Sequence, residues 1–97
     1  MEDITILGET AGSLLKARKE TIAVAETSAG GLISSTLLAV PGASEFYLGG
    51  AVVYTARARE AFFRIKQDEV DRAGFRSATE PYVALLAARC KTVLTAD

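Results

Sequence analysis

The run Thr21 to Ala25 (TIAVA) constrains this chain more than any other feature. It is short, rich in β-branched side chains and free of charge, which suits a strand covered on both faces by helices in a parallel sheet. Glu26, Thr27, Ser28, Ala29, Gly30 and Gly31 follow at once. The next stretch, LISSTLLAV, spaces Leu32, Ile33, Thr36, Leu37 and Val40 as a helix does and stops at Pro41-Gly42. After Gly49-Gly50, the segment Ala51 to Tyr54 (AVVY) reads as a second strand. Strand, helix and strand joined by a long crossover form a βαβ unit, for which a right-handed connection is expected.

The rest of the chain reads as helix. Asp3 to Arg18 places Ile4, Leu7, Ala11, Leu14 and Leu15 on one apolar stripe, interrupted by Gly8 and Gly12. Lys16, Arg18 and Lys19 complement the negative end of its dipole. Residues 43–48 (ASEFYL) read as an irregular turn packed on the core, with Ser44 a candidate cap. Helical spacing returns from Ala56 to Ile65 and from Gln67 to Ala73, the latter closed by Gly74. Ser77 or Thr79 can cap the last helix, and Val83, Leu86, Ala87, Cys90 and Leu94 form its expected buried stripe. The predicted fold class is therefore α/β: a partial three-layer α/β/α sandwich around a small parallel βαβ core. Its strands fall near 21–26 and 50–54, and its helices near 3–18, 29–40, 56–65, 67–73 and 78–94. Two strands make a sheet that is rarely stable alone, so either the helices enclose it or another chain completes it.

Composition narrows the function classes. The 97 residues fit a single domain, and a net charge of −1 provides no field toward nucleic acid or anionic membrane. No histidine is present, which removes the usual general base and the commonest metal ligand. The single cysteine, Cys90, excludes an intramolecular disulfide and reads as a buried small hydrophobe in a reducing compartment. No apolar run approaches the ~20 residues that cross a bilayer, and no signal-peptide pattern opens the chain, so a cytoplasmic location is expected.

The stretch Ala25 to Gly31 (AETSAGG) is the best candidate for chemistry. It lies at the carboxyl end of a parallel strand, where α/β proteins bind ligands, and it leads into a helix whose first N–H groups suit a phosphate or an oxyanion. Thr27 and Ser28 supply hydroxyls, and Gly30 and Gly31 allow close approach to the backbone. The same residues also serve as ordinary caps and hinge glycines, and the spacing fits neither the P-loop nor the dinucleotide fingerprint. A second candidate, Tyr54 to Arg59 (YTARAR), follows the second strand. Arg57 and Arg59 stand two residues apart and cannot share a helix face, so at most one is expected to reach the crevice, where it would hold a phosphate; the same pair reads equally as a solvated helix face. Tyr54 reads as a core residue whose hydroxyl could reach the pocket mouth.

The run AETSAGGLISSTLLAVPGASEFYLGGAVVYTARAR resembles the C-terminal domain of the CinA (competence/damage-inducible) proteins, the nicotinamide-nucleotide amidohydrolases. The family pattern is approximately AESCTGG, a helix, VPGSS, a strand with paired glycines, and Y-S-N-x-x-K. The resemblance covers roughly Leu7 to the end. It implies an α/β/α sandwich that hydrolyses the carboxamide of nicotinamide mononucleotide to nicotinate mononucleotide and ammonia, with no metal and no cofactor. It further implies a serine nucleophile and a lysine base, positions that fall here on Thr27 and Arg59. Ser28 stands where the family has cysteine, and Ala56 where it has asparagine. Thr27 and Ser28 are thus the candidate catalytic residues; Glu26, Gly30, Gly31, Tyr54, Arg57 and Arg59 are the candidate substrate contacts. Arginine is not deprotonated in proteins, so Arg59 cannot act as base.

By this resemblance, residues 1–97 correspond to the N-terminal half to two-thirds of the family domain, and the strand and glycine-rich loop that follow the last helix lie beyond them. Three readings follow. One is an amidohydrolase-like protein acting on nicotinamide mononucleotide. A second is a non-catalytic relative that binds that nucleotide or another phosphate-bearing molecule. The third is an oligomeric structural relative, with a homo-oligomer completing the sheet.

Overall fold

The computed structural model describes residues 2–76 and 79–97. In chain order these form α1 (Glu2–Arg18), β1 (Ile22–Glu26), α2 (Leu32–Leu38), a 3₁₀ turn (Ala43–Glu45), β2 (Tyr47–Val52), α3 (Ala56–Phe63), α4 (Gln67–Ala73) and α5 (Glu80–Leu94). β1 and β2 pair in parallel, with helices on both faces, so the fold is α/β as the sequence pattern requires. Among the described residues no helix is long and apolar enough to cross a membrane.

Strand alternation divides the interior into two cores. Ala23 and Ala25 of β1, with Ala51 of β2, pack toward Phe63, Ile65, Val70, Tyr82, Leu86 and Cys90 on the α3–α5 side. Ile22 and Val24 point the other way, toward Leu37, Val40, Ala43, Phe46 and the α1 residues Ala11 and Leu15. The alanines let α5 settle close against β1, while the larger β-branched residues fill the space under α1 and α2. Arg89 ties α5 to the neighbouring helices, donating to the Phe63 carbonyl at 3.0 Å and to Glu69 at 2.7 Å. The Asp97 carboxylate accepts from the Thr21 amide at 2.9 Å and so links the end of α5 to the start of β1.

Several sequence expectations need correction. The second strand spans Tyr47–Val52 rather than 50–54, because Gly49 and Gly50 lie within it instead of ending it. Gly50 stands directly against the Val24 carbonyl oxygen, where any Cβ would overlap the backbone. The pairing register slips between Ile22 and Ala23, the irregularity that takes Tyr47 and Gly49 to opposite faces. Ser44 does not cap the turn that follows α2; Gly42 occupies that position with φ 79° and no side-chain bond. α2 begins at Leu32 rather than 29, since Gly30 and Gly31 take positive φ values of 65° and 101° that no helix accommodates. α3 ends at Phe63, before Arg64 turns to φ 57°, rather than reaching 65.

The stripes also shift. On α1 the buried line runs through Gly8 and Gly12, whereas Leu7 and Leu14 are exposed. A Cβ at Gly8 would lie 2.7 Å from Thr36 Cγ2, and one at Gly12 would lie 3.1 Å from Phe46 and Val40, so glycine permits α1 to lie close over α2 at the first position and over the segment that follows α2 at the second. On α5 the buried line is Tyr82, Leu86 and Cys90, one position displaced from Val83 and Ala87, which face outward. Ser77 lies outside the described residues. Thr79 occupies the cap position of α5 without capping it: its hydroxyl donates instead to the Arg76 carbonyl at 2.6 Å.

Candidate functional site

At the carboxyl ends of the two strands lies a cavity of about 400 Å³, lined by Thr27, Ser28, Val53, Tyr54, Ala56, Arg59, Gln67 and Tyr82. That volume is in the range of small-molecule sites, ~300–1,000 Å³. Five elements contribute to it. β1 delivers the hydroxyl-bearing bend, the chain leaving β2 delivers Val53 and Tyr54, and α3 to α5 deliver Arg59, Gln67 and Tyr82.

Arg59 dominates the electrostatics. Only 3% of it is exposed, yet it forms no ion pair among the described residues. Its Nε donates to the Ile65 carbonyl at 3.2 Å, one terminal nitrogen to the Tyr82 hydroxyl at 3.3 Å, and the other to Gln67 Oε1 at 2.7 Å. The guanidinium carbon stands 5.8 Å from the centre of the Tyr82 ring. The Gln67 amide is oriented from its other end by Asp71, which accepts from Nε2 at 2.9 Å. Among the described residues all of Arg59's hydrogen-bond partners are neutral, and the nearest carboxylate in the network, Asp71, reaches it only through Gln67, an expensive arrangement for a buried charge. Three of its five N–H groups are engaged by described residues.

Glu26 is placed differently from the sequence expectation. It shares the β1 face of Ile22 and Val24, is 3% exposed and does not line the cavity. Its two oxygens accept from the amides of Ile33 and Ser34, each at 2.9 Å, at the start of α2. Burial pushes its pKa up, but the hydrogen bonds from Ser34, Ile33 and Gly31 outweigh that and hold the carboxyl below its ordinary value. The helix start that seemed open to a phosphate is thus already filled by the chain's own carboxylate. Strand parity carried this signal: Glu26 stands two residues from Val24 and four from Ile22, on the inward face.

The other candidates divide. Thr27, half-buried, and Ser28, exposed, both face the cavity, and no described residue hydrogen-bonds either hydroxyl. Gly30 and Gly31 shape the bend without lining the cavity; a Cβ at Gly30 would meet open space. Arg57 is exposed and turned away, so Arg59 is the one of the pair that reaches the crevice. Tyr54 is not in the core: it is 81% exposed and forms part of the mouth. Gln67 and Tyr82 complete the site, and nothing in their local sequence marked them. A hydroxyl nucleophile needs a base within hydrogen-bonding reach, and among the described residues lining the cavity none is a lysine, histidine or carboxylate.

Residues 4–97 match the family model of the CinA C-terminal domain. A CinA-like protein of Chlorobium phaeobacteroides is 43% identical over 97 residues, which are 99% of this chain and 22% of that relative. One from Sulfurihydrogenibium is 32% identical over 96 residues, covering 99% of this chain and 24% of its own length. The fold superposes on the crystal structure of a competence-damaged protein (CinA) superfamily protein from Escherichia coli with a TM-score of 0.86 and 26% identity. That match covers 97% of this chain and 54% of the other. The chain thus spans about a quarter of these two curated relatives and about half of the solved structure.

Proposed function

The chain belongs to the CinA C-terminal domain family, and on that premise we propose that it binds nicotinamide mononucleotide, or a closely similar phosphate-bearing nucleotide, without hydrolysing its amide. The observation that carries this reading is Arg59: a buried guanidinium, unpaired with any carboxylate among the described residues, beside a cavity of ligand size. A phosphate dianion accepting the two N–H groups that no described residue engages would supply the missing counter-charge through two parallel hydrogen bonds. Turnover is disfavoured by the same residue. It stands where the family resemblance puts a lysine base, and a guanidinium does not give up its proton.

Titration calorimetry with nicotinamide mononucleotide and with nicotinamide riboside, which lacks the phosphate, tests the binding. The nucleotide should bind at least about tenfold more tightly, the ~1.4 kcal/mol that one retained charge-assisted hydrogen bond supplies. Equal affinities would remove Arg59 from the reading. Ammonia released from the nucleotide by the wild type, and abolished in Thr27→Ala/Ser28→Ala, would show hydrolysis and overturn the non-catalytic part.

A further inference from the structure

Two arginines fasten the joint between α3 and α4, and they are partnered differently. Arg89 donates to the Phe63 carbonyl at 3.0 Å and to the Glu69 carboxylate at 2.7 Å. Arg59 donates to the Ile65 carbonyl at 3.2 Å and to Gln67 Oε1 at 2.7 Å. Each takes a carbonyl at the end of α3 or just beyond it, and a side chain from the first turn of α4. A carboxylate opposite the guanidinium, as at Arg89, is the stronger of the two pairings. Arg59 is buried whereas the Arg89 side chain is 30% exposed, so Arg59 has the greater need of a counter-charge. It receives an amide instead.

Glutamate has the length of glutamine, and at position 67 it would form that ion pair with no change of backbone. A carboxylate there would also suit the start of a helix. What opposes it is Asp71, whose Oδ1 accepts from Gln67 Nε2 at 2.9 Å, so a carboxylate at 67 would meet another one. Asp71 also settles which way the amide lies. A carboxylate only accepts and a guanidinium only donates, so Nε2 faces Asp71 and Oε1 faces Arg59. The Gln67 side chain is thereby held at both ends. Asp71 itself is exposed, and its charge stays one amide away from the guanidinium.

We propose that Gln67 sets the cavity's preference for a phosphate: it orients the Arg59 guanidinium without neutralising it, so the charge is left for the occupant to match. Gln67 acts through Arg59 and is a positioning residue. The inference rests on the nucleotide-binding reading and adds to it the residue that keeps the guanidinium's charge uncancelled.

Calorimetry of the full chain with nicotinamide mononucleotide and with nicotinamide riboside, paired with urea unfolding, tests it. Gln67→Glu supplies the carboxylate, and Gln67→Glu/Asp71→Asn supplies it without the opposing charge. Both should bind the two compounds alike, a loss of about tenfold in preference relative to wild type. The double variant should also unfold at a higher urea concentration than Asp71→Asn, because the buried guanidinium gains an ion pair. Glu69→Gln, which makes the opposite exchange at Arg89, should lower the urea midpoint and keep the preference. A wild-type preference for the nucleotide that persists in both Gln67 variants overturns the inference and leaves the binding reading standing. Equal affinities in the wild type overturn both. A preference lost in Glu69→Gln as well marks general damage and overturns the inference. So does a preference lost in the double variant with a urea midpoint no higher than that of Asp71→Asn.

Discussion

Glu26 offers the sharpest test of how this fold holds the bend that follows β1. Its carboxylate reaches from the end of β1 across the bend to two amides of α2, so the bend is fastened at both sides. Glu26→Ala removes two charge-assisted hydrogen bonds, each worth about 1.5–3 kcal/mol. Both amides are partly buried, so water recovers some of this, and the expected loss is about 3 kcal/mol. Glu26→Gln retains one acceptor and should lose about half as much. At this chain length each kcal/mol lowers Tm by about 4–8 °C, so urea titration and thermal melting both resolve the two variants.

Acidity sharpens the test. The Glu26 carboxyl lies below its ordinary value of 4.5 in the folded chain, so between the folded and unfolded pKa values the unfolded chain binds more protons and stability rises with pH. The contribution is therefore complete above about pH 4.5 and is lost as pH falls through the folded value. The gap between wild type and Glu26→Gln should be widest at neutral pH and should narrow on acidification below that point. An alanine variant within about 0.5 kcal/mol of wild type would refute the reasoning. A gap that stays constant on acidification would do the same.

Three further outcomes follow from the packing. Gly50→Ala should fail to fold stably, since its methyl group would overlap the Val24 carbonyl and neither strand can retreat; a soluble variant with wild-type Tm would contradict the strand register. Gly8→Ala should cost about 1–3 kcal/mol, because the Thr36 side chain can give way only in part, and denaturant midpoints read this directly. Cys90 is 1% exposed and burial raises its pKa, so a thiol reagent should label it only as fast as the chain opens; labelling at the rate of a free thiol would place it at the surface.

How far the sequence could be read depended on whether a residue's role is local. TIAVA is a strand because its own side chains favour one and because both faces are covered, and the structure places β1 there. The glycines are a different matter. Gly49 and Gly50 look like punctuation in isolation, and only the Val24 carbonyl on the neighbouring strand makes Gly50 obligatory in the middle of β2. Gly8 and Gly12 likewise break an apolar stripe until Thr36 of α2 is laid across the first and Val40 and Phe46 across the second. In the site, Thr27, Ser28 and Arg59 were legible as candidates from their positions after two strands, and the structure brings all three to one cavity. Gln67 and Tyr82 were not, because each comes from a different helix and meets Arg59 only through tertiary packing.

The grip of Arg59 on the Ile65 carbonyl has a mechanical consequence. Ile65 lies in the short joint between α3 and α4, so the side chain that lines the cavity also holds the joint that follows its own helix. Whatever draws on that guanidinium loads the joint, and by reciprocity whatever loosens the joint slackens the hold on an occupant. If the cavity takes a ligand that draws on Arg59, protease cleavage at the α3–α4 junction should change with its concentration.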